Sequence, residues 1–183
     1  MNDAVKNMLQ KYSPKSPVEQ ERALREILQE IALVGLWRGK FFEHAAFYGG
    51  TALRILFGLD RFSEDLDFTL LKSNSGFTWA PYVKTLEDEL LAYGFKVELT
   101  EKKKSIDSSV KSAFLKTNTF ESLLKIGTLE KSLKGTHPEA SIRIKVEIDT
   151  DPILGLQVKN QYIKDPIPVS ISTVVESDLF ACK

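Results

Sequence analysis

Apolar residues near the start of the chain recur with the spacing of one helical face. The members of this face are Leu24, Ile27, Leu28, Ile31 and Val34. They follow Ser16-Pro17-Val18-Glu19, in which Ser16 is suited to cap a helix, Pro17 to begin it and Glu19 to complete a capping box. The pattern therefore predicts an amphipathic helix that begins at Pro17 and runs to about Leu36.

Shorter patterns predict alternating helices and strands over the rest of the chain. In chain order, the predicted elements are a strand at Ala45–Tyr48, a helix at 51–57 closed by Gly58, a strand at 65–71, a helix at 81–93 stopped by Gly94, and strands at 95–100, 142–148 and 169–175. This order predicts a mixed α/β or α+β fold.

Length and composition are those of an ordinary globular protein. The chain has 183 residues, of which 43% are hydrophobic and 27% charged, and its formal net charge is zero. We expect one domain, or one domain with a helical appendage. With no net charge, attraction to nucleic acid or to a membrane must come from a local patch.

Cysteine usage and the N-terminus indicate a cytoplasmic protein. Cys182 is the only cysteine, so no disulfide can form within the chain. The N-terminal residues lack an apolar core of signal-peptide length, and no apolar run approaches the roughly 18 residues of a membrane helix.

Gly49-Gly50, between a predicted strand and a predicted helix, is the first candidate for chemistry. Backbone N–H groups at the start of a helix attract phosphate, and glycine lets it come close because no Cβ intervenes. Since Gly-Gly also occurs in ordinary turns, this signal is weak alone.

Asp65 and Asp67 form the second candidate. At positions i and i+2 of a strand they share one face, about 6–7 Å apart, while Leu66, Phe68 and Leu70 face the core. Two charges at that distance repel by about 2–3 kcal/mol at an effective dielectric of about 20. A magnesium site would gain two oxygen ligands from the arrangement, whereas the plainer alternative is an exposed strand face.

A third carboxylate is available on the polar face of the 142–148 strand, which carries Arg143, Lys145, Glu147 and Asp149. Either acidic residue could approach the aspartate pair if this strand lies beside it. Lys145 could hold a triphosphate or balance the acidic cluster. Two metal ions about 3.5–4 Å apart stabilise in-line displacement at phosphorus, so the three elements together indicate nucleotidyl transfer.

The same residues resemble a known signature. The block GGTALR…GLDRFSEDLDF closely resembles that of the AbiEii family of bacterial nucleotidyltransferase toxins, and the upstream helix, IRIKVEIDTDP and DLFACK also resemble parts of that family. The resemblance extends from about Val18 onward. It implies an α+β fold of the polymerase-β-like nucleotidyltransferase type, with a mixed sheet flanked by helices.

The resemblance also implies roles for individual residues. Gly49 and Gly50 would bind the nucleotide phosphates, assisted by Ser63, with Arg61 orienting the loop or touching phosphate. Asp65 and Asp67 would hold Mg²⁺, Lys145 would contact the triphosphate, and Glu147 is preferred over Asp149 as the third acidic residue and metal ligand. A carboxylate there could also deprotonate the acceptor hydroxyl.

As a whole, residues 1–183 are expected to form a single nucleotidyltransferase domain, with a helical segment at 1–44, a catalytic core at 45–175, and the start of an apparently truncated helical segment at 176–183. The expected partners are an NTP, an antitoxin protein and an RNA acceptor such as a tRNA 3′ end, in a toxin–antitoxin or phage-defence system. Two alternatives stand beside RNA modification: nucleotidylation of a protein hydroxyl, and a shortened module that binds nucleotide or partner without turnover.

Residues 102–134 are locally basic. The lysines are Lys102, Lys103, Lys104, Lys111, Lys116, Lys125, Lys131 and Lys134, interleaved with Phe114 and Phe120. Such a segment could bind an RNA backbone while the rings stack on bases. A solvated lysine-rich face with two core phenylalanines is favoured instead, because lysines of this density are common on surfaces.

Overall fold

The structure, a computed structural model, describes residues 3–102, 108–119, 121–122, 139–152 and 155–181. Its helices are α1 (Asp3–Tyr12), α2 (Pro17–Arg38), α3 (Gly49–Phe57), α4 (Ala80–Ala92) and α5 (Glu176–Ala181), with a short 3₁₀ helix at Phe41–Glu43. Its strands are β1 (Ala45–Tyr48), β2 (Leu66–Leu70), β3 (Glu98–Lys102), β4 (Val110–Asn118), β5 (Ser141–Asp149), β6 (Val158–Ile163) and β7 (Val169–Val174).

The start of α2 confirms the predicted cap. The Ser16 hydroxyl accepts the Glu19 N–H at 3.2 Å, and the Glu19 carboxylate accepts the N–H of Lys15 at 2.6 Å, one residue earlier than in a standard capping box. The predicted apolar face of α2 is fully buried. This helix therefore packs as its sequence pattern indicates.

The described strands form one mixed sheet in the order β3-β4-β5-β2-β1-β7-β6. β1 runs antiparallel to β2, while β2 runs parallel to β5 and β1 parallel to β7. The sheet therefore joins β2, from the first half of the chain, to β5, from the second half, at its centre.

The two faces of the central strands differ in character. Leu66, Phe68 and Leu70 are buried, and Phe68 makes edge contacts with Phe41 and Trp79, at 4.9 and 6.4 Å between ring centroids. Because successive strand residues point to opposite faces, the polar residues between them share the other face. Burial of the apolar side fixes the register of β2, and with it the direction of the aspartates.

One predicted strand begins later than expected. The strand expected at 95–100 begins only at Glu98, because Phe95 is buried in the turn after α4 and its N–H bonds to the Leu90 carbonyl. Three elements, α1, β4 and β6, had not been predicted individually. No helix in the described part of the chain is long and apolar enough to cross a membrane.

The basic segment is described only in part. Lys102, Lys111 and Lys116 are described; Lys103, Lys104, Lys125, Lys131, Lys134 and Phe120 lie outside the described residues. The expectation of a core phenylalanine at 114 is wrong, because Phe114 is half-buried and is not part of the hydrophobic core.

Candidate active site

The glycine turn lies where β1 ends and α3 begins. Gly49 has φ +79°, in the left-handed region, and a Cβ at this position would lie 2.5 Å from Oδ2 of Asp67. A Cβ on Gly50 would lie 3.0 Å from the Ser63 hydroxyl oxygen. The two glycines thus bring backbone against Asp67 and Ser63, and position 49 has room only for glycine.

The two aspartates lie at the start of β2, beside this turn. Asp67 is directly opposite Tyr48 in the antiparallel β1–β2 pair. Asp65 immediately precedes the strand, and its carbonyl oxygen accepts a hydrogen bond from the hydroxyl of buried Thr51 in α3. The helix that begins with the glycines therefore also fixes the backbone at Asp65.

The pairing of β2 with β5 distinguishes the two candidates for the third carboxylate. Glu147 is directly opposite Asp67, whereas Asp149 is opposite Thr69, two residues further along the ladder. Asp149 instead accepts the N–H of Asp151 at 3.0 Å through its own carboxylate. The structure thus brings Glu147 to the aspartate pair, while its catalytic role stays a prediction.

Both carboxylate oxygens of Glu147 have partners. Oε2 lies 2.6 Å from the Lys145 ammonium, and Oε1 accepts a hydrogen bond of 2.7 Å from the hydroxyl of Ser112 in β4. Ser112 is 1% exposed and directly opposite Glu147 in the β4–β5 pair. Hydrogen bonds to a charged group contribute about 1.5–3 kcal/mol each, so the orientation of Glu147 is well determined.

The carboxylates also shift one another's protonation. Burial, reinforced by the charges of Asp65 and Glu147, raises the pKa of Asp67 to about 6, and Lys145 acts in the opposite direction. Burial raises the pKa of Asp65 as well. The hydrogen bond to Glu147 raises the pKa of Lys145 and keeps it charged. The site therefore has more negative charge than one ammonium balances.

The loop that holds Arg61 and Ser63 is fixed from α2. The Gln29 amide, fully buried, donates to the Ser63 carbonyl at 3.2 Å. Arg25 donates to Glu64 at 3.1 Å and to the carbonyl of Arg143 at 3.2 Å, which ties the loop to β5. Arg61 is exposed and forms no ion pair with the described residues.

A family model with the description "Nucleotidyl transferase AbiEii toxin, Type IV TA system" matches residues 31–183. The chain belongs to the AbiEii family. The match includes the glycine turn, the aspartate pair and β5, so the predicted family is confirmed. A search of curated proteins gave no match.

One solved structure shares the fold of the chain. JHP933 from Helicobacter pylori superposes with a TM-score of 0.54 at 18% identity, over 86% of this chain and 53% of that one. A second H. pylori protein, described as a candidate nucleotidyltransferase, gives a TM-score of 0.49 at 18% identity, over 92% of this chain and 58% of that one. The chain spans a little over half the length of these two structures. The predicted fold, a polymerase-β-like mixed sheet flanked by helices, is confirmed.

The candidate ligands are carboxylate oxygens, the type of ligand that a hard divalent cation binds. Asp65 and Asp67 present carboxylate oxygens, which Mg²⁺ prefers, and Gly49 keeps the space beside Asp67 free of a Cβ. In the described ranges, no three Asp, Glu, His or Cys side chains already converge on one point as metal ligands. Glu147 would join the aspartates only by exchanging its contact with Lys145 for the cation.

Sequence reasoning did not identify Ser112, Thr51 or Gln29. Each residue acts through a hydrogen-bond partner on another part of the fold, so no sequence motif identifies it. Parity along β4 would have offered one signal, because Ser112 alternates with the buried Ala113 and Leu115. That signal requires knowing that β4 is a strand and which residue of β5 it faces.

Proposed function

We propose that this AbiEii chain transfers a nucleotide from an NTP to an RNA hydroxyl, such as a tRNA 3′ end, with Mg²⁺ and with release of pyrophosphate. The observation that supports this best is the register that sets Asp67 beside Glu147, against the glycine turn. Family membership agrees with it, because the family is that of nucleotidyltransferase toxins.

In the proposed reaction the acceptor oxygen forms a bond to the α-phosphorus, and the bond to the bridging oxygen of pyrophosphate breaks. The N–H groups of Gly49 and Gly50 bind the phosphates, together with the Ser63 hydroxyl and the Arg61 guanidinium. Lys145 binds the triphosphate after leaving Glu147.

The acidic residues have two roles in this proposal. Asp65 and Asp67 would hold Mg²⁺, with Glu147 as the third ligand. When bound, Mg²⁺ stabilises negative charge on the attacking and leaving oxygens. The proton of the acceptor hydroxyl passes to a carboxylate, for which Glu147 is preferred and Asp149 is the alternative. We also propose that the protein acts in the cytoplasm as the toxin of a toxin–antitoxin or phage-defence system, restrained by an antitoxin partner.

The test is an incubation with each α-labelled NTP, Mg²⁺ and total bacterial RNA. We expect label in a tRNA-sized band, and none with Asp65→Asn/Asp67→Asn. Asp88→Asn, an exposed change on α4, is the matched control and should leave transfer intact. Label that resists ribonuclease but not protease would favour the protein-acceptor alternative. Mg²⁺-dependent NTP binding without pyrophosphate release would favour a binding module.

A further inference from the structure

Phe114 is an aromatic residue that core packing does not explain. It is half-buried in β4 and lies outside the hydrophobic core, whereas its strand neighbours Ala113 and Leu115 are fully buried within it. Since strand residues alternate, Phe114 and Ser112 are on the face opposite the core. Ser112 bonds Glu147, so this is also the face of the candidate active site.

The ladders define the surroundings of Phe114. It is directly opposite Lys145 of β5 on one side and the exposed Thr100 of β3 on the other. Directly opposite residues have Cβ atoms about 4.5–5.5 Å apart, so Phe114 adjoins the lysine that contacts Glu147. The ring is therefore two residues along β4 from Ser112, the hydrogen-bond partner of Glu147, on an open part of the sheet.

Cationic side chains flank the ring on this face. Lys116, two positions along β4, is opposite Arg143 of β5, and both are exposed with no ion pair to any described residue. Lys102, also exposed, is opposite Ser112. Among the described residues directly opposite these cations in the ladders, the acidic one is Glu98, opposite Lys116. The cations outnumber it, and their charge suits a polyanion that ends at the active site.

We propose that Phe114, Lys116 and Arg143 form the acceptor-binding surface, which takes the single-stranded 3′ end of an RNA. A base stacks on the Phe114 ring, and Lys116 and Arg143 contact backbone phosphates on the side away from Glu147. The 3′-hydroxyl then points towards Glu147 and the aspartates. This inference rests on the proposed function for its acceptor, but binding can be measured apart from transfer.

Stacking distinguishes this surface from a general basic patch. Aromatic side chains bind successive bases of single strands without regard to sequence, and alanine substitution of such a ring weakens binding by about tenfold or more. The logarithm of the association constant falls as the logarithm of the salt concentration rises, and each phosphate contact on a single strand makes this slope steeper by about 0.7. Ring and cations therefore have separate experimental signatures.

The experiment measures anisotropy of a 5′-fluorescein-labelled, unstructured RNA of about 10 nucleotides without NTP, over a range of salt concentrations. Phe114→Leu keeps apolar volume without the ring and should weaken binding about tenfold, whereas Phe114→Tyr should bind as the wild type does. Arg143→Gln and Lys116→Gln should each lower the salt slope. Tyr162→Ala is the matched control: Tyr162 is 69% exposed on β6, at the opposite edge of the sheet, and its loss should change nothing.

Two outcomes would overturn the proposal: the wild-type protein fails to bind the RNA, or Phe114→Leu binds the RNA as tightly as the wild type does. If Phe114→Leu binds RNA normally and a separate titration shows weaker NTP binding, the ring belongs to the binding site for the base of the NTP. If RNA binding requires Phe114 but no nucleotide is transferred, the RNA-binding surface is supported and the proposed reaction is refuted.

Discussion

Gly49→Ala should damage the site far more than a comparable change at another glycine. Gly49 and Gly58 have similar positive φ angles, +79° and +73°, so alanine at either position incurs a similar backbone cost of about 1–2 kcal/mol. They differ in surroundings. A Cβ on Gly58 meets nothing within 4 Å, whereas a Cβ on Gly49 lies 2.5, 3.0 and 3.1 Å from Oδ2, Cβ and Cγ of Asp67.

Rotation of the Asp67 side chain cannot relieve this contact. Its Cβ is fixed by the β2 backbone, so the glycine turn and the strand must separate by several tenths of an ångström. Overpacking of this kind costs typically about 1–3 kcal/mol. Gly49→Ala should therefore lose about 2–5 kcal/mol of unfolding free energy in total, and Gly58→Ala about 1–2 kcal/mol.

Urea denaturation of both variants measures this difference, and the labelled-NTP assay measures its effect on transfer. We expect Gly49→Ala to abolish transfer even under conditions where it is fully folded, and Gly58→Ala to retain it. If the two variants agree within about 0.5 kcal/mol and transfer equally well, the close approach of Gly49 to Asp67 is not what the site depends on.

Three further predictions concern charged groups. Ser112→Ala should lower the transfer rate by about tenfold to a hundredfold, because the hydrogen bond to the charged carboxylate of Glu147 is lost. Ser112→Thr keeps a hydroxyl and should retain part of that rate; equal transfer rates in the two variants would contradict a role for the hydrogen bond. Lys145→Met should weaken NTP binding yet increase the thermal stabilisation by Mg²⁺ alone, measured by calorimetry, because no ammonium then competes for Glu147; a smaller Mg²⁺ effect would count against that competition. Burial, reinforced by nearby Asp165, raises the pKa of Glu30 to about 8, so its protonated form favours the folded state. The stability it contributes is present below its ordinary pKa near 4.5 and is lost as pH rises to about 8, by up to about 1.4 kcal/mol per pH unit. Glu30→Gln should flatten that slope in urea denaturation between these limits, and parallel wild-type and variant curves would show that Glu30 ionises normally.

Local signals were sufficient for much of the fold. Ser16 and Pro17 marked the start of α2, and Gly58 and Gly94 marked the ends of α3 and α4. The alternation of polar and apolar residues around Asp67 predicted β2 and its polar face. Each depends on neighbours along the chain, so each could be read from sequence. The aspartate pair and the glycine turn were accessible for the same reason.

What sequence could not provide depends on pairing between distant segments. Glu147 and Asp149 have the same parity, and only the β2–β5 register separates them. β6 was missed because it is an edge strand of the described sheet, with polar residues where a buried strand would be apolar. β4 was missed because its lysines suggested a solvated surface rather than a strand that supports Glu147 from the side.

The parallel pairing of β2 with β5 also has a consequence for the time at which activity can arise during protein synthesis. Asp67 emerges from the ribosome well before Glu147, and the intervening residues take on the order of several seconds to translate. Until β5 has emerged and inserted between β4 and β2, a nascent chain holds the glycine turn and the aspartates without Lys145 or Glu147, and Ser112 of β4 has no β5 partner to place it. Such non-local pairing is slow to form. Under the proposed function, this interval is one in which an antitoxin partner would bind the chain before its site is complete.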